Sequence, residues 1–148
     1  MYMTVNINSI MKQITEEQGL DLIKKFQDKT FIDVPINEEE IYSFKQHMQG
    51  KQFAYLCETS ITEPLSENSD RIGKLVKVLK PEIDSIDKQP CHFNIKIMMT
   101  KDALLQVEEV NAMSVFLYDY SNIDIKWSAI EIEDKPHTIK MRIITVTE

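Results

Sequence analysis

Hydrophobic positions recur with two different periods along this chain. Ile72, Leu75, Val76 and Leu79 fall at i, i+3, i+4 and i+7, the spacing of one helix face. They predict an amphipathic helix capped by Asn68 or Ser69 and ending within a residue of Pro81, which has no amide to continue it. Phe93, Ile95, Ile97 and Met99 alternate with His92, Asn94 and Lys96, the period of a strand spanning Cys91–Met99. One face of that strand is expected to pack and the other to meet water or a partner. In Gln52–Ile61, Phe53, Tyr55 and Cys57 alternate with Ala54 and Leu56, so both faces are apolar and an interior strand is expected.

Toward the N-terminus, Ile7, Ile10, Met11 and Ile14 have helical spacing, Gly19 interrupts it, and Leu20, Ile23 and Phe26 continue it to about Gln27. This predicts one broken helix or two short ones. Phe31–Ile36 is a short extended segment holding Pro35. Asn37, three residues before Glu40, resembles a capping box, and Glu38, Glu39 and Glu40 occupy a first turn where the helix dipole favours anions. Ile41, Phe44 and Met48 form that helix's buried face, and Gly50 is placed to stop it in a left-handed conformation. After a loop over Thr62–Asn68, Thr100 is expected to cap a further helix carrying Leu104, Val107, Val110 and Met113 through Tyr118.

Asn122–Ile132 and His137–Thr147 close the chain as strands, and the turn-like link Glu133–Pro136 suggests a hairpin pairing Ile132 with His137. The apolar set changes face along this hairpin. Ile130, Ile132, Ile139, Met141 and Ile143 share a face near the turn, and Ile123, Ile125, Trp127, Ile144 and Val146 share the other face far from it. A bulge that re-aims the side chains accounts for the change; the other account is an element or chain lying against part of the hairpin. The expected architecture is α+β: a two-layer sandwich with a four-stranded mixed sheet of βαβαββ order and two helices on one face. N-terminal helical segments over 1–51 precede the α+β domain of 52–148.

Composition narrows the function classes. The 148 residues suit one domain, with 43% hydrophobic and 28% charged residues. The net charge is −7, and Arg71 and Arg142 are the only arginines, which disfavours nucleic acid as a partner. No apolar run approaches the ~20 residues that span a bilayer, and the first residues lack a signal-peptide pattern, so no membrane association and a cytoplasmic location are expected. Gly19, Gly50 and Gly73 cannot build a glycine-rich phosphate cradle. Cys57 and Cys91 read as reduced structural thiols. With His47, His92 and His137 they show no metal-ligand spacing, so neither a metal nor a cofactor is expected. Trp127 reads as a core residue of its alternating strand.

The closing stretch, Asn122–Ile130 followed by Met141-Arg142-Ile143-Ile144-Thr145-Val146-Thr147, resembles the end of the C-terminal domain of the FtsZ/tubulin family. Lys101-Asp102-Ala103-Leu104 with Val107-Glu108-Glu109-Val110-Asn111-Ala112 is similar to a helix of that domain, and Glu67-Asn68-Ser69-Asp70-Arg71 to the opening of another. The resemblance covers roughly residues 30–148 and leaves out the family's nucleotide-binding domain and its glycine-rich loop. It implies a stand-alone association domain that neither binds nor hydrolyses GTP and has no catalytic residues. In the family, a loop before this domain enters the next subunit's nucleotide site. The matching positions fall near Asn37 and Glu40, so Asn37, Glu38, Glu39 and Glu40 are a candidate partner-contact loop, with helix capping as the alternative role of Asn37 and Glu40.

The resulting expectation is a non-catalytic protein-interaction module that binds a protein partner or forms a homo-oligomer. The alternative is a small-molecule-binding protein or enzyme of chorismate-mutase-like fold, acting between subunits. Its cationic candidates are Arg71, Arg142, Lys74, Lys140 and His137, which otherwise read as a solvated basic fringe.

Overall fold

A computed structural model describes residues 4–5, 11–25, 36–66 and 70–148 of the chain. The elements run β1 (Thr4–Val5), β2 (Lys12–Ile14), α1 (Glu16–Lys24), α2 (Ile36–Met48), β3 (Ala54–Thr62), α3 (Arg71–Asp84), β4 (Pro90–Met99), α4 (Val107–Tyr118), β5 (Asp124–Glu131) and β6 (Thr138–Thr147). The fold is mixed α+β. Its sheet follows the order β1-β3-β6-β4-β5, and β2 also pairs with β3. β4 and β5 are parallel, while β6 runs antiparallel to both β3 and β4.

Strand alternation assigns the two faces. Cys57, Ile61, Phe93, Ile95, Ile97, Ile139, Met141 and Ile143 join Ile72, Leu75, Leu79 and Ile83 of α3 and Met113 and Phe116 of α4 in one core. Ala54, Ile144 and Val146 join Ile14, Ile23 of α1, and Phe44 and Met48 of α2 in a second. The residues of the first core are odd-numbered on β3, β4 and β6 and those of the second even-numbered, so the two cores lie on opposite sides of one sheet. The expected helix pair on one face is α3 and α4. The expected two-layer, four-stranded sandwich is corrected: the N-terminal elements extend the sheet at β3 and cover its second face.

The hairpin expectation is also corrected. β5 and β6 do not pair; β6 lies between β3 and β4. The link leaves β5 where Ile132 donates its amide to the Met99 carbonyl, then passes the end of β4, where the Thr100 amide bonds the Thr138 carbonyl. An antiparallel strand reached through a short link can sit beside its predecessor or step over one neighbour, and burial decides between them. Nearly every residue of β6 is buried, as a central strand covered on both sides requires. The change of apolar face is therefore the mark of a strand with two packed faces; the register shift in the β4–β6 ladder lies between Pro90 and His92, at the far end from the link.

Smaller corrections follow from local chemistry. Lys12–Ile14 is a strand, and Thr15 caps α1 in a complete capping box with Gln18. α3 continues through Pro81 to Asp84, losing only one amide bond near its last turn. Thr100 opens a short 3-10 turn over Lys101–Ala103, Leu104 is extended, and α4 begins only after Gln106. Gly50 takes φ 76°, as expected for the residue that stops α2. The expected helix over Ile7 and Ile10 lies outside the described residues, as does the extended segment Phe31–Ile36 except for Ile36, which opens α2; the cap position of α3 is Asp70, not Asn68 or Ser69, and it makes no side-chain cap bond.

Candidate functional site

α2 presents Glu40, Ser43, Phe44, His47 and Met48 to the sheet, one helical face in which polar and apolar residues mix. The surface beneath is polar. Glu58, Arg142, Lys96 and Ser128 are register neighbours across β3, β6, β4 and β5. His92 and Asn94 continue the same face of β4. The sequence reading expected that face to meet water or a partner; in the structure His92, Asn94 and Lys96 are buried, and the layer that covers them is α2.

Three groups at the middle of this layer satisfy one another. Lys96 Nζ donates to Glu40 Oε2 at 3.3 Å and to Ser128 Oγ at 2.6 Å, and Ser128 Oγ donates to Glu40 Oε1 at 3.0 Å. Burial lowers the Lys96 pKa, and Glu40 opposes that shift. Arg142 is buried beside Lys96 with Nε and Nη2 unpartnered, and neither amide atom of Asn94 has a partner. Burial lowers the Arg142 pKa as well, opposed by Glu58 and Glu40.

At one end of the layer three side chains meet. Asp124 Oδ2 lies 3.0 Å from His92 Nδ1 and 3.2 Å from His47 Nε2. The two imidazoles stack with centroids 4.8 Å apart and planes 9° from parallel. Burial pushes His92 down to about 4, although Asp124 pulls the other way, so the ring is neutral and its Nε2 is buried without a partner. His47 and Asp124 are about one-third exposed, with side-chain values of 31% and 37%, so this end reaches solvent. Lys126 Nζ stands 4.0 Å from the other Asp124 oxygen.

The proposed partner-contact residues separate. Glu38 and Glu39 are exposed in the first turn of α2 and line an open cleft of about 410 Å³ with Tyr42, Ser43 and Lys126. Glu40 turns inward to Lys96. Asn37 falls within the helix, and its side chain lies outside what the structure describes.

The five cationic candidates do not converge. Arg71 is fully buried, bonds both carboxylate oxygens of Glu109 at 2.8 and 2.6 Å, and also bonds the carbonyls of Ala103 and Leu104. It thereby ties the start of α3 to the start of α4. Lys74 pairs with Glu63, Lys140 with Asp134, and His137 lies 3.4 Å from Asp102. Arg142 is on the opposite side of the sheet from α3. The basic-fringe reading is corrected for Arg71 and Arg142, both of which are interior.

The convergence of His47, His92 and Asp124 escaped sequence reasoning because they are far apart in the chain and belong to α2, β4 and β5. Another feature was only half visible. α4 is apolar on more than its core face, and Val107, Val115 and Tyr118 point outward at 75%, 73% and 80% exposure.

No protein-family profile and no curated protein matches this chain. Among solved structures it aligns with thiamine monophosphate kinase from Aquifex aeolicus at a TM-score of 0.39 and 14% identity, over 86% of this chain and 41% of that one. The chain thus spans about two-fifths of that kinase. The resemblance to the FtsZ/tubulin family is withdrawn: no family profile matches, and the element order it relied on included a closing hairpin, whereas β5 and β6 do not pair. The expectation that the chain is not an enzyme rested on that resemblance and is withdrawn with it; the likeness to the kinase transfers no activity. No helix among the described residues is long and apolar enough to cross a membrane.

Proposed function

We propose that this chain is a protein-association module whose docking surface is the outer face of α4, and that its partner there is a second copy of the chain. One observation carries the reading. Of the eight large apolar side chains exposed among the described residues, five (Leu104, Val107, Val110, Val115 and Tyr118) lie within one short stretch. Scattered exposed apolar residues are ordinary, whereas a cluster of them marks an interaction surface.

The cluster suits its own copy. Val107, Asn111, Ser114 and Tyr118 follow one another along the outer side of the helix and carry no charge. Two such helices running antiparallel place the small Val107 of one copy against the partner's Tyr118, with Asn111 and Ser114 near the two-fold axis, a self-complementary arrangement. The helix is about 18 Å long at 1.5 Å per residue. A contact of that length falls below the ~800 Å² per partner of a tight interface, so the association is weak and concentration-dependent.

Sedimentation velocity from micromolar to millimolar protein tests this. The wild-type chain shifts toward a dimer as concentration rises, and Val115→Asp and Tyr118→Asp hold it monomeric with an unchanged melting temperature. A wild-type chain that stays monomeric throughout, or dimerises equally well with both substitutions, overturns the reading.

A further inference from the structure

We propose that His47, His92 and Asp124 form a binding site for one divalent transition-metal ion of the zinc class, at the solvent end of the polar layer beneath α2. The three side chains are a potential ligand set, with one ligand atom from each lying within 4.8 Å of the others. Two imidazole nitrogens and one carboxylate oxygen are donors that Zn²⁺ and its neighbours in the first transition row accept.

The distances fit the size of such an ion. With bonds of about 2.0–2.1 Å, neighbouring ligand atoms of a tetrahedral site lie roughly 3.3 Å apart. Asp124 Oδ2 already stands 3.0 and 3.2 Å from the two ring nitrogens, so two edges of the tetrahedron are nearly in place. The third needs a movement that the geometry specifies. Stacked rings aim their lone pairs side by side, and an ion held by both lies in or near the plane of each. Binding therefore turns one imidazole relative to the other and opens the stack. In the parallel pair both nitrogens share a single carboxylate oxygen.

The scaffold is rigid where it needs to be. His92 and Asp124 are register partners on parallel neighbouring strands, and His47 sits in the last turn of α2, so the three arrive from three elements. Ligands supported by strands and helices are placed more accurately than ligands on loops. Each imidazole binds the ion through its Asp124-facing nitrogen in the tautomer that carries the ring proton on the other nitrogen, which for His92 is the buried Nε2. Its fourth position faces solvent on the exposed side of His47 and Asp124, the pattern of an exchangeable site rather than a closed structural one. The Lys126 ammonium beside Asp124 opposes the ion, which makes the site one of moderate affinity. Because His47 belongs to α2 and the other ligands to the sheet, occupancy also pins α2 down.

The test uses the full, tag-free chain stripped with a chelator and titrated with Co²⁺, with Zn²⁺ as competitor. The site predicts one equivalent of Co²⁺, visible d–d absorption of a low-coordinate N/O environment without thiolate charge-transfer bands, and displacement by Zn²⁺. Zn²⁺ raises the melting temperature of the wild-type chain. His47→Gln and Asp124→Asn weaken binding by roughly tenfold or more, as loss of groups that orient or supply ligands does. His47→Gln lies at the surface end of α2 and keeps the native circular dichroism, so its loss of binding is read in a folded chain. No saturable Co²⁺ binding, binding unchanged in both variants, or thiolate bands from Cys57 or Cys91 overturns the assignment.

Discussion

Replacing Glu40 by glutamine removes the one carboxylate bonded to the Lys96 ammonium among the described residues and leaves that ammonium beneath α2 with neutral partners. Both residues are essentially inaccessible, with Glu40 at 0% and Lys96 at 1%. Breaking a buried ion pair from one side costs about 3–5 kcal/mol, because the charge left behind is uncompensated. That is a large share of the ~5–15 kcal/mol that holds an ordinary domain together. Lys96→Met should cost a comparable amount by stranding Glu40. Glu40→Leu combined with Lys96→Met removes both charges and should cost much less than the two single changes together, since a buried pair is often nearly neutral against an apolar replacement of similar volume. Urea unfolding followed by far-ultraviolet circular dichroism and Trp127 fluorescence, with Glu40→Leu alone added to close the cycle, gives the free energies and the coupling between the two sites. A loss under ~1 kcal/mol for Glu40→Gln, the range of an exposed pair, would refute the buried seat of α2. Strict additivity in the double variant would do the same.

Other features give further expectations. Gly19→Ala should destabilise the fold: the added Cβ would sit 2.8 Å from Cε2 of the buried Phe44 ring, and overpacking of about 1–3 kcal/mol outweighs the ~1 kcal/mol helix gain over glycine, as thermal melts will show. Arg71→Lys should lower stability markedly even though it keeps the charge, because an ammonium cannot make the paired bonds to Glu109 together with those to the Ala103 and Leu104 carbonyls; urea midpoints of Arg71→Lys against Lys74→Arg check this. Burial pushes the Cys57 thiol up to about 12, from an ordinary 9.0, so it should resist alkylation until the chain unfolds. Its contribution to stability is full below pH 9.0 and is lost as pH rises toward about 12, because the unfolded chain releases a proton that the folded one keeps. Comparing urea midpoints of the wild type and Cys57→Ala across that range isolates the effect.

How much of this was legible in the sequence depends on the range of the interaction. The stripe Ile72, Leu75 and Leu79 and the alternation Phe93, Ile95, Ile97 and Met99 are local patterns, and both elements stand where those patterns place them. Strand order is not local. Glu133–Pro136 has the chemistry of a turn in either topology, and only the two-sided apolar pattern of Ile143, Ile144 and Val146 marked β6 as a central strand. Glu40 carried a misleading local signal, since a glutamate three residues after an asparagine at a helix start suggests a cap. Its actual partner, Lys96, lies on β4. The same limit hid the His47–His92–Asp124 cluster, which no spacing rule covers because each ligand comes from a different element. The outward Val107, Val115 and Tyr118 were visible as apolar residues, but their exposure follows from how α4 lies against α3 and the sheet.

The surface assigned to association is tested most directly by a dilution series of amide nitrogen–proton NMR spectra. Dilution from millimolar to micromolar protein should move the amide signals of residues 104–118, above all those flanking Val107, Val115 and Tyr118, while the β6 signals stay fixed. Spectra that do not change with concentration, or changes centred on the open edge of β5, would contradict the account.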